Sequence, residues 1–142
     1  MLEAALAWAA RGWAVFPVHT PVTTGENPTC SCRSADCKQV GKHPRTKHGH
    51  LEATTDPAQI RRWWTQWPTA NIGTRPGTAG HVGFDLDKPH LLQAAREIGL
   101  FGEPTMDVRT GDGTHKYFLH EPLPDGTTIH GIIARSMFGY LL

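Results

Sequence analysis

The chain of 142 residues contains no run of about 18 apolar residues, the length a membrane-crossing helix requires, so no span is expected. Its opening stretch, Met1 to Arg11, has no basic segment ahead of the apolar part, which argues against a secretory signal. Net charge is only +1, so bulk basicity does not advertise nucleic acid; any such contact must come from a local patch. The 3 cysteines cannot all pair with one another. They lie between Cys30 and Cys37 with a histidine close by, which suggests a metal rather than disulfides. Internal repeats, low-complexity linkers and a phosphate-binding Gly-x4-Gly-Lys-Ser/Thr loop are all missing. What remains is a cytoplasmic protein, long enough for one domain with a real core.

The 15 glycines and 11 prolines predict many turns and a loop-rich α/β or α+β domain. Leu2, Leu6 and Ala9 or Ala10 recur at helical spacing over residues 2–11, and Gly12 supplies a stop. Trp13 to Val18 reads as a strand. Thr55-Asp56-Pro57-Ala58-Gln59-Ile60 opens a second helix: Asp56 caps it, Pro57 suits its first turn and Gln59 completes a box-like pair. Ile60, Trp63, Trp64 and Trp67 form one apolar stripe, read as core rather than as base-stacking platforms. Pro68 ends it. A strand follows at Asn71–Thr74, then a turn over residues 75–80. Leu91 to Leu100 reads as a further helix with Leu91, Leu92, Ala95 and Ile98 buried. Met106–Thr110 and Thr114–Leu119 read as paired strands around Gly111-Asp112-Gly113. After a turn at Pro124-Asp125-Gly126, residues 129–134 and 138–142 are apolar enough for strands.

Residues 19–50 break this pattern. A loop of that length inside a domain needs an anchor of its own. Cys30, Cys32, Cys37 and His43 offer one: three thiolates and an imidazole form a tetrahedral zinc set, with His48 or His50 as substitutes for His43. Such a zinc is structural, because a full Cys3His set leaves no open coordination position, and it folds a loop that has little apolar surface to bury. Lys42 and Arg45, with Lys47 close behind, put cations beside it. They can grip phosphates or form a solvated basic loop.

In Val82-Gly83-Phe84-Asp85-Leu86-Asp87, apolar residues alternate with small or acidic ones. On a strand, Asp85 and Asp87 occupy one face, about 6.5–7 Å apart. Two carboxylates so placed can share hard divalent cations; the competing reading is two solvated acids at a strand end.

The order of these motifs resembles the N-terminal primase/polymerase domain of bifunctional replication proteins from plasmids, phages and other mobile elements, within the archaeo-eukaryotic primase superfamily. The residues that carry the resemblance are Ala10–Pro17, the Cys30–His43 cluster with Gly41-Lys42-His43-Pro44-Arg45, and Thr54-Thr55-Asp56-Pro57 with Ile60, Trp63 and Trp64. Asn71-Ile72-Gly73, Phe84-Asp85-Leu86-Asp87 and Arg109–Phe118 complete them. It implies an α/β (α+β) fold whose mixed, largely antiparallel, RRM-like sheet is flanked by helices. Residues 1–142 then form one primase/polymerase-like domain, and 19–50 a zinc-loop insertion within it.

The resemblance further implies that Asp85 and Asp87 hold catalytic Mg²⁺ or Mn²⁺ and that His115 contacts the incoming nucleotide's phosphates. Arg109, Lys42 and Arg45 are additional phosphate contacts. The implied partners are nucleoside triphosphates, a single-stranded DNA template and a separate or fused helicase, with no membrane. The family's third motif places an acid on a late strand; here that position holds Ile133, within Gly131–Leu142, and Asp107 and Asp125 are the stand-ins to consider. The alternative to a nucleotidyl transferase is therefore a degenerate or truncated relative that binds nucleotide or single-stranded DNA without catalysis.

Overall fold

The first helix, α1 (Leu2–Ala10), stops where glycine lets the chain turn. Gly12 takes φ +87°. The Gly12 N–H then reaches the Ala9 carbonyl at 2.9 Å and the Trp13 N–H the Trp8 carbonyl at 3.2 Å, the two bonds of a Schellman close. The Trp8 and Trp13 rings meet edge to face at 5.3 Å, sealing it with an apolar contact. In this computed structural model the residues described are 1–23, 27–86, 93, 97, 106–109, 114–119, 128–129, 132–135 and 139–141.

The chain forms two units: Met1–Arg75 with Gly139–Leu142, and Pro76–Phe138. In the first, α2 (Pro57–Gln66) begins at Asp56, whose carboxylate accepts the Ala58 and Gln59 N–H groups at 3.0 and 3.2 Å. The expected capping box is not completed. Gln59 instead accepts from Arg62 Nε at 3.1 Å, one turn on, and the Asp56 N–H goes to Thr54 Oγ1 at 3.0 Å. Ile60, Trp63 and Trp64 are buried with Ala5, Ala9, Val15, Phe16, Val18, Ala70 and Ile72, and Trp67 packs against them, as the stripe predicts for core. Trp64 keeps its one polar atom satisfied by donating to the Ala70 carbonyl at 3.1 Å.

A three-stranded antiparallel sheet backs this core, in the order β1 (Ala14–Val18), β4 (Asn71–Arg75), β10 (Gly139–Leu141). β1 tolerates Pro17 because it is the outer strand. Val15 exchanges both backbone bonds with Thr54 across the outer edge, so Pro17, two residues on, also turns that way and removes no bond from the β1–β4 ladder. On central β4, Gly73 lies opposite both Phe16 and Tyr140. A Cβ there would come within 2.4 Å of Phe16 Cζ, so glycine is required for the ring to cross the strand.

Among the described residues of 19–53, regular structure is limited to β2 (Pro21–Val22), paired antiparallel with β3 (Thr29–Cys30), and a 3₁₀ turn at Gly49–Glu52. Their end is tied to the outer edge of β1 by Arg45 N–H to the Pro17 carbonyl and His19 N–H to the His43 carbonyl, both 2.9 Å.

The second unit opens with a 3₁₀ turn at Pro76–Ala79, where the sequence predicts a turn. It then builds an antiparallel sheet in the order β6 (Met106–Arg109), β7 (Thr114–Leu119), β5 (His81–Leu86), β9 (Ile132–Arg135), β8 (Thr128–Ile129). The helix predicted over residues 91–100 falls outside the described residues except Gln93 and Glu97. These are helical and joined by a 2.8 Å side-chain bond, as an i, i+4 pair should be. The turns predicted at 111–113 and 124–126 also lie outside the described residues. The architecture is thus mixed α/β with small antiparallel sheets.

Candidate metal centre and candidate active site

In the first unit, Cys30, Cys32, Cys37 and His43 converge so that their ligand atoms all lie within 4.8 Å of one another. His43 Nε2 is 3.4 Å from Cys30 Sγ and 3.6 Å from Cys37 Sγ. Ligands around a tetrahedral zinc, with bonds of about 2.0–2.3 Å, sit about 3.5–3.8 Å apart. The residues present therefore fit that ion.

The backbone aims N–H donors at the sulfurs. Each cysteine accepts the N–H two residues on: Cys32 to Cys30, Ser34 to Cys32 at 3.5 Å, and Gln39 to Cys37. Cys30 is also bonded by the Gly41 N–H. Burial pushes the Cys30 thiol up, but the Gly41 and Cys32 N–H groups, the Cys32 thiol and the His43 ring outweigh it and bring the pKa down to about 6. Burial pushes the Cys37 thiol up as well, and there the neighbouring Cys30 and Cys32 sulfurs add to the rise and outweigh the Gln39 N–H. Negative charge crowded in this way is what a dication relieves. Gly41, at φ +70°, is pressed against Pro21, and a Cβ there would meet Pro21 Cδ at 2.6 Å.

Behind the ligands lies a brace that the sequence alone did not reveal. Ser31 Oγ takes the Thr20 N–H at 2.9 Å and an Arg45 Nη2 hydrogen at 2.8 Å, which leaves its own proton for His19 Nδ1 at 2.9 Å. His19 stacks on the ligand His43, with ring centroids 4.3 Å apart. Burial, with the Arg45 and His43 charges, lowers the His19 pKa to about 4, so it is neutral and can accept from Ser31. Arg45 also donates to the Val18 carbonyl at 3.3 Å and lies over the Trp67 ring. The only cue in the sequence is that Ser31 stands between two cysteines and Arg45 two residues past the histidine. Lys42 is exposed.

The second unit holds the other predicted residues. β5 and β7 are direct neighbours, and their register sets Asp85 opposite His115. Residues opposed in an antiparallel pair occupy the same face of the sheet. His115 is half-buried, and its ring stands edge-on to buried Tyr117 at 6.3 Å. Asp87 lies outside the described residues. Arg109 pairs with Thr114, next to His115 in the chain, so its position belongs to the opposite face.

Asp107 belongs to that opposite face as well. It pairs with Lys116, whose partner on β5 is Phe84, and its carboxylate binds Lys116 Nζ at 2.6 Å. Asp107 is therefore no stand-in for a third acid beside Asp85, and Asp125 lies outside the described residues. On the other side of β5 the paired positions are Gly83 with Arg135 and Phe84 with Ala134. One residue further along each strand come Asp85 and Ile133.

Fold and sites together define a mixed α/β protein that sets an acid opposite a histidine on one sheet and carries a zinc-type cluster in a long loop. The chain belongs to the family of bifunctional DNA primase/polymerase N-terminal domains (Prim-Pol), whose family model matches residues 5–136. Membership implies a primase/polymerase role in DNA replication, with nucleotide and DNA as binding partners. No curated protein and no solved structure matches the chain. Among the described residues, no helix is long and apolar enough to cross a membrane.

Proposed function

We propose that the chain catalyses metal-dependent nucleotidyl transfer from nucleoside triphosphates onto a primer or initiating nucleotide, templated by single-stranded DNA. The observation that carries this reading is the pairing of Asp85 with His115, in a chain whose family is defined by DNA primase/polymerase domains. Asp85 and Asp87 are the residues that would hold Mg²⁺ or Mn²⁺, since carboxylates suit hard cations while Cys30, Cys32, Cys37 and His43 suit zinc. The bound cations would stabilise the attacking and leaving oxygens of an in-line displacement at the α-phosphorus. His115 donates a hydrogen bond to a phosphate oxygen and so fixes the triphosphate; Arg109, paired with Thr114 and so on the other face of the sheet, takes no part in that grip. The cluster's zinc is structural, holding residues 19–50 as an insertion within a single domain whose strands follow an RRM-like plan. A helicase, separate or fused, is the functional partner.

A second reading, a relative that binds nucleotide or single-stranded DNA without catalysis, is favoured by one observation. Ile133, not an acid, stands one residue beyond the last β5–β9 pair, at the level of Asp85. A primer-extension assay with Mn²⁺ separates the two. Incorporation by the wild type that disappears in Asp85→Ala supports catalysis. Calorimetric nucleotide binding without incorporation at any metal concentration supports the second reading.

A further inference from the structure

The near-neutral net charge of the chain hides a strong local imbalance. Residues 30–47 contain Arg33, Lys38, Lys42, Arg45 and Lys47 against Asp36 alone. Five cations less one anion give +4, so a chain of net +1 carries −3 elsewhere. Arg45 is engaged in the brace, but Arg33, Lys38, Lys42 and Lys47 are exposed, and none forms an ion pair with a described residue.

Three of these four adjoin the metal cluster in sequence: Arg33 follows Cys32, Lys38 follows Cys37, and Lys42 precedes His43. Neighbouring Cα atoms are about 3.8 Å apart, and the cluster's ligand atoms span only 4.8 Å. Folding the cluster therefore anchors the backbone of three exposed cationic residues beside one set of ligands. Arg33 is held there at φ +63°, a left-handed conformation that non-glycine residues rarely adopt. It borders a hollow of about 540 Å³ together with the hydroxyl residues Thr29, Ser31 and Ser34 and the apolar Val22, Cys30 and Ala35. Cations interspersed with hydroxyls are the usual furniture of phosphate contacts. A protein partner would call for apolar anchors, and Val22 is the only exposed large hydrophobic residue among those that line the hollow.

We propose that the metal loop is a docking surface for the phosphodiester backbone of single-stranded DNA, independent of base sequence, with Arg33, Lys38 and Lys42 as its contacts and the bound metal as the part that holds them together. The proposal rests on the DNA-processing reading above but assigns the contact to a different unit from Asp85 and His115.

The test is a titration of a labelled oligothymidylate with the zinc-loaded full chain at several salt concentrations, without nucleotide, Mg²⁺ or Mn²⁺. Each phosphate contact on a single strand contributes about 0.7 to the slope of log K against log salt. Arg33→Asn/Lys38→Gln/Lys42→Gln should make the slope shallower by about 2, and each single variant by about 0.7. Asparagine at position 33 removes the charge while tolerating the left-handed backbone. Arg61→Gln/Arg62→Gln, on the exposed side of α2, should leave the slope unchanged. An unaltered slope in the triple variant with zinc still bound overturns the proposal. So does an equal effect of the α2 variant, or competition by polyglutamate as effective as by unlabelled oligothymidylate. Because the mixture contains no nucleotide, failure here leaves the Asp85–His115 reading standing, and failure of incorporation leaves this result readable.

Discussion

Replacing Gly73 by alanine tests the packing of the first unit at its tightest point. The new methyl carbon would lie 2.4, 2.5 and 2.8 Å from Phe16 Cζ, Cε2 and Cε1, where ordinary contact begins at 3.4 Å. The ring must therefore retreat by about 1 Å. Phe16 is only 1% exposed and packed within the core cluster, so the ring can retreat only by displacing its neighbours. Strand β4 cannot shift either, because it is bonded to β1 on one side and β10 on the other. Overpacking of this kind costs about 1–3 kcal/mol, and a site closed on both sides belongs at the upper end. Alanine's smaller unfolded-state entropy returns about 0.4–1 kcal/mol. The net expectation is a loss of about 2 kcal/mol, or about 4–8 °C in Tm for a chain of this size. Urea unfolding with saturating zinc measures it. Trimming the ring should relieve the clash, so a cycle with Phe16→Leu should show a favourable coupling of at least about 1 kcal/mol. A Gly73→Ala protein as stable as the wild type, or strict additivity in the cycle, would refute the reasoning.

Elemental analysis should find one zinc per chain, lost in Cys30→Ser. A chelator should lower Tm and open the loop to proteolysis, because binding free energy in such a site is folding free energy; a metal-free chain with an unchanged melting curve would contradict this. Asp56→Ala should cost about 1 kcal/mol through the lost N-cap of α2, read by the same urea unfolding. Ile133→Asp would place a carboxylate at the level of Asp85, and Mn²⁺-dependent incorporation should rise relative to the wild type. Equal or lower incorporation in a folded Ile133→Asp protein would argue that the position does not reach the metal site.

Features set by neighbours in sequence were legible without coordinates. Asp56-Pro57 declares a helix start, Gly12 a stop, and the Ile60–Trp67 stripe a buried face, because each depends on a few adjacent residues. The metal cluster was legible for a chemical reason: thiols and imidazole at short range have few other uses. The capping box failed because Arg62 offers the Gln59 amide a better partner than the Asp56 backbone, a competition that spacing alone does not settle. The brace through Ser31, His19 and Arg45 was invisible because its members are 12–14 residues apart. The separation of Arg109 and Asp107 from the His115 face depends on the register across β6 and β7, and a slip of one residue would reverse it.

The most direct test of the central claim is primer extension with Mn²⁺ by the wild type, Asp85→Ala and His115→Ala, each checked for fold and zinc content. Incorporation by the wild type that falls to background in both variants is the predicted result. Undiminished incorporation in a folded Asp85→Ala protein would contradict it.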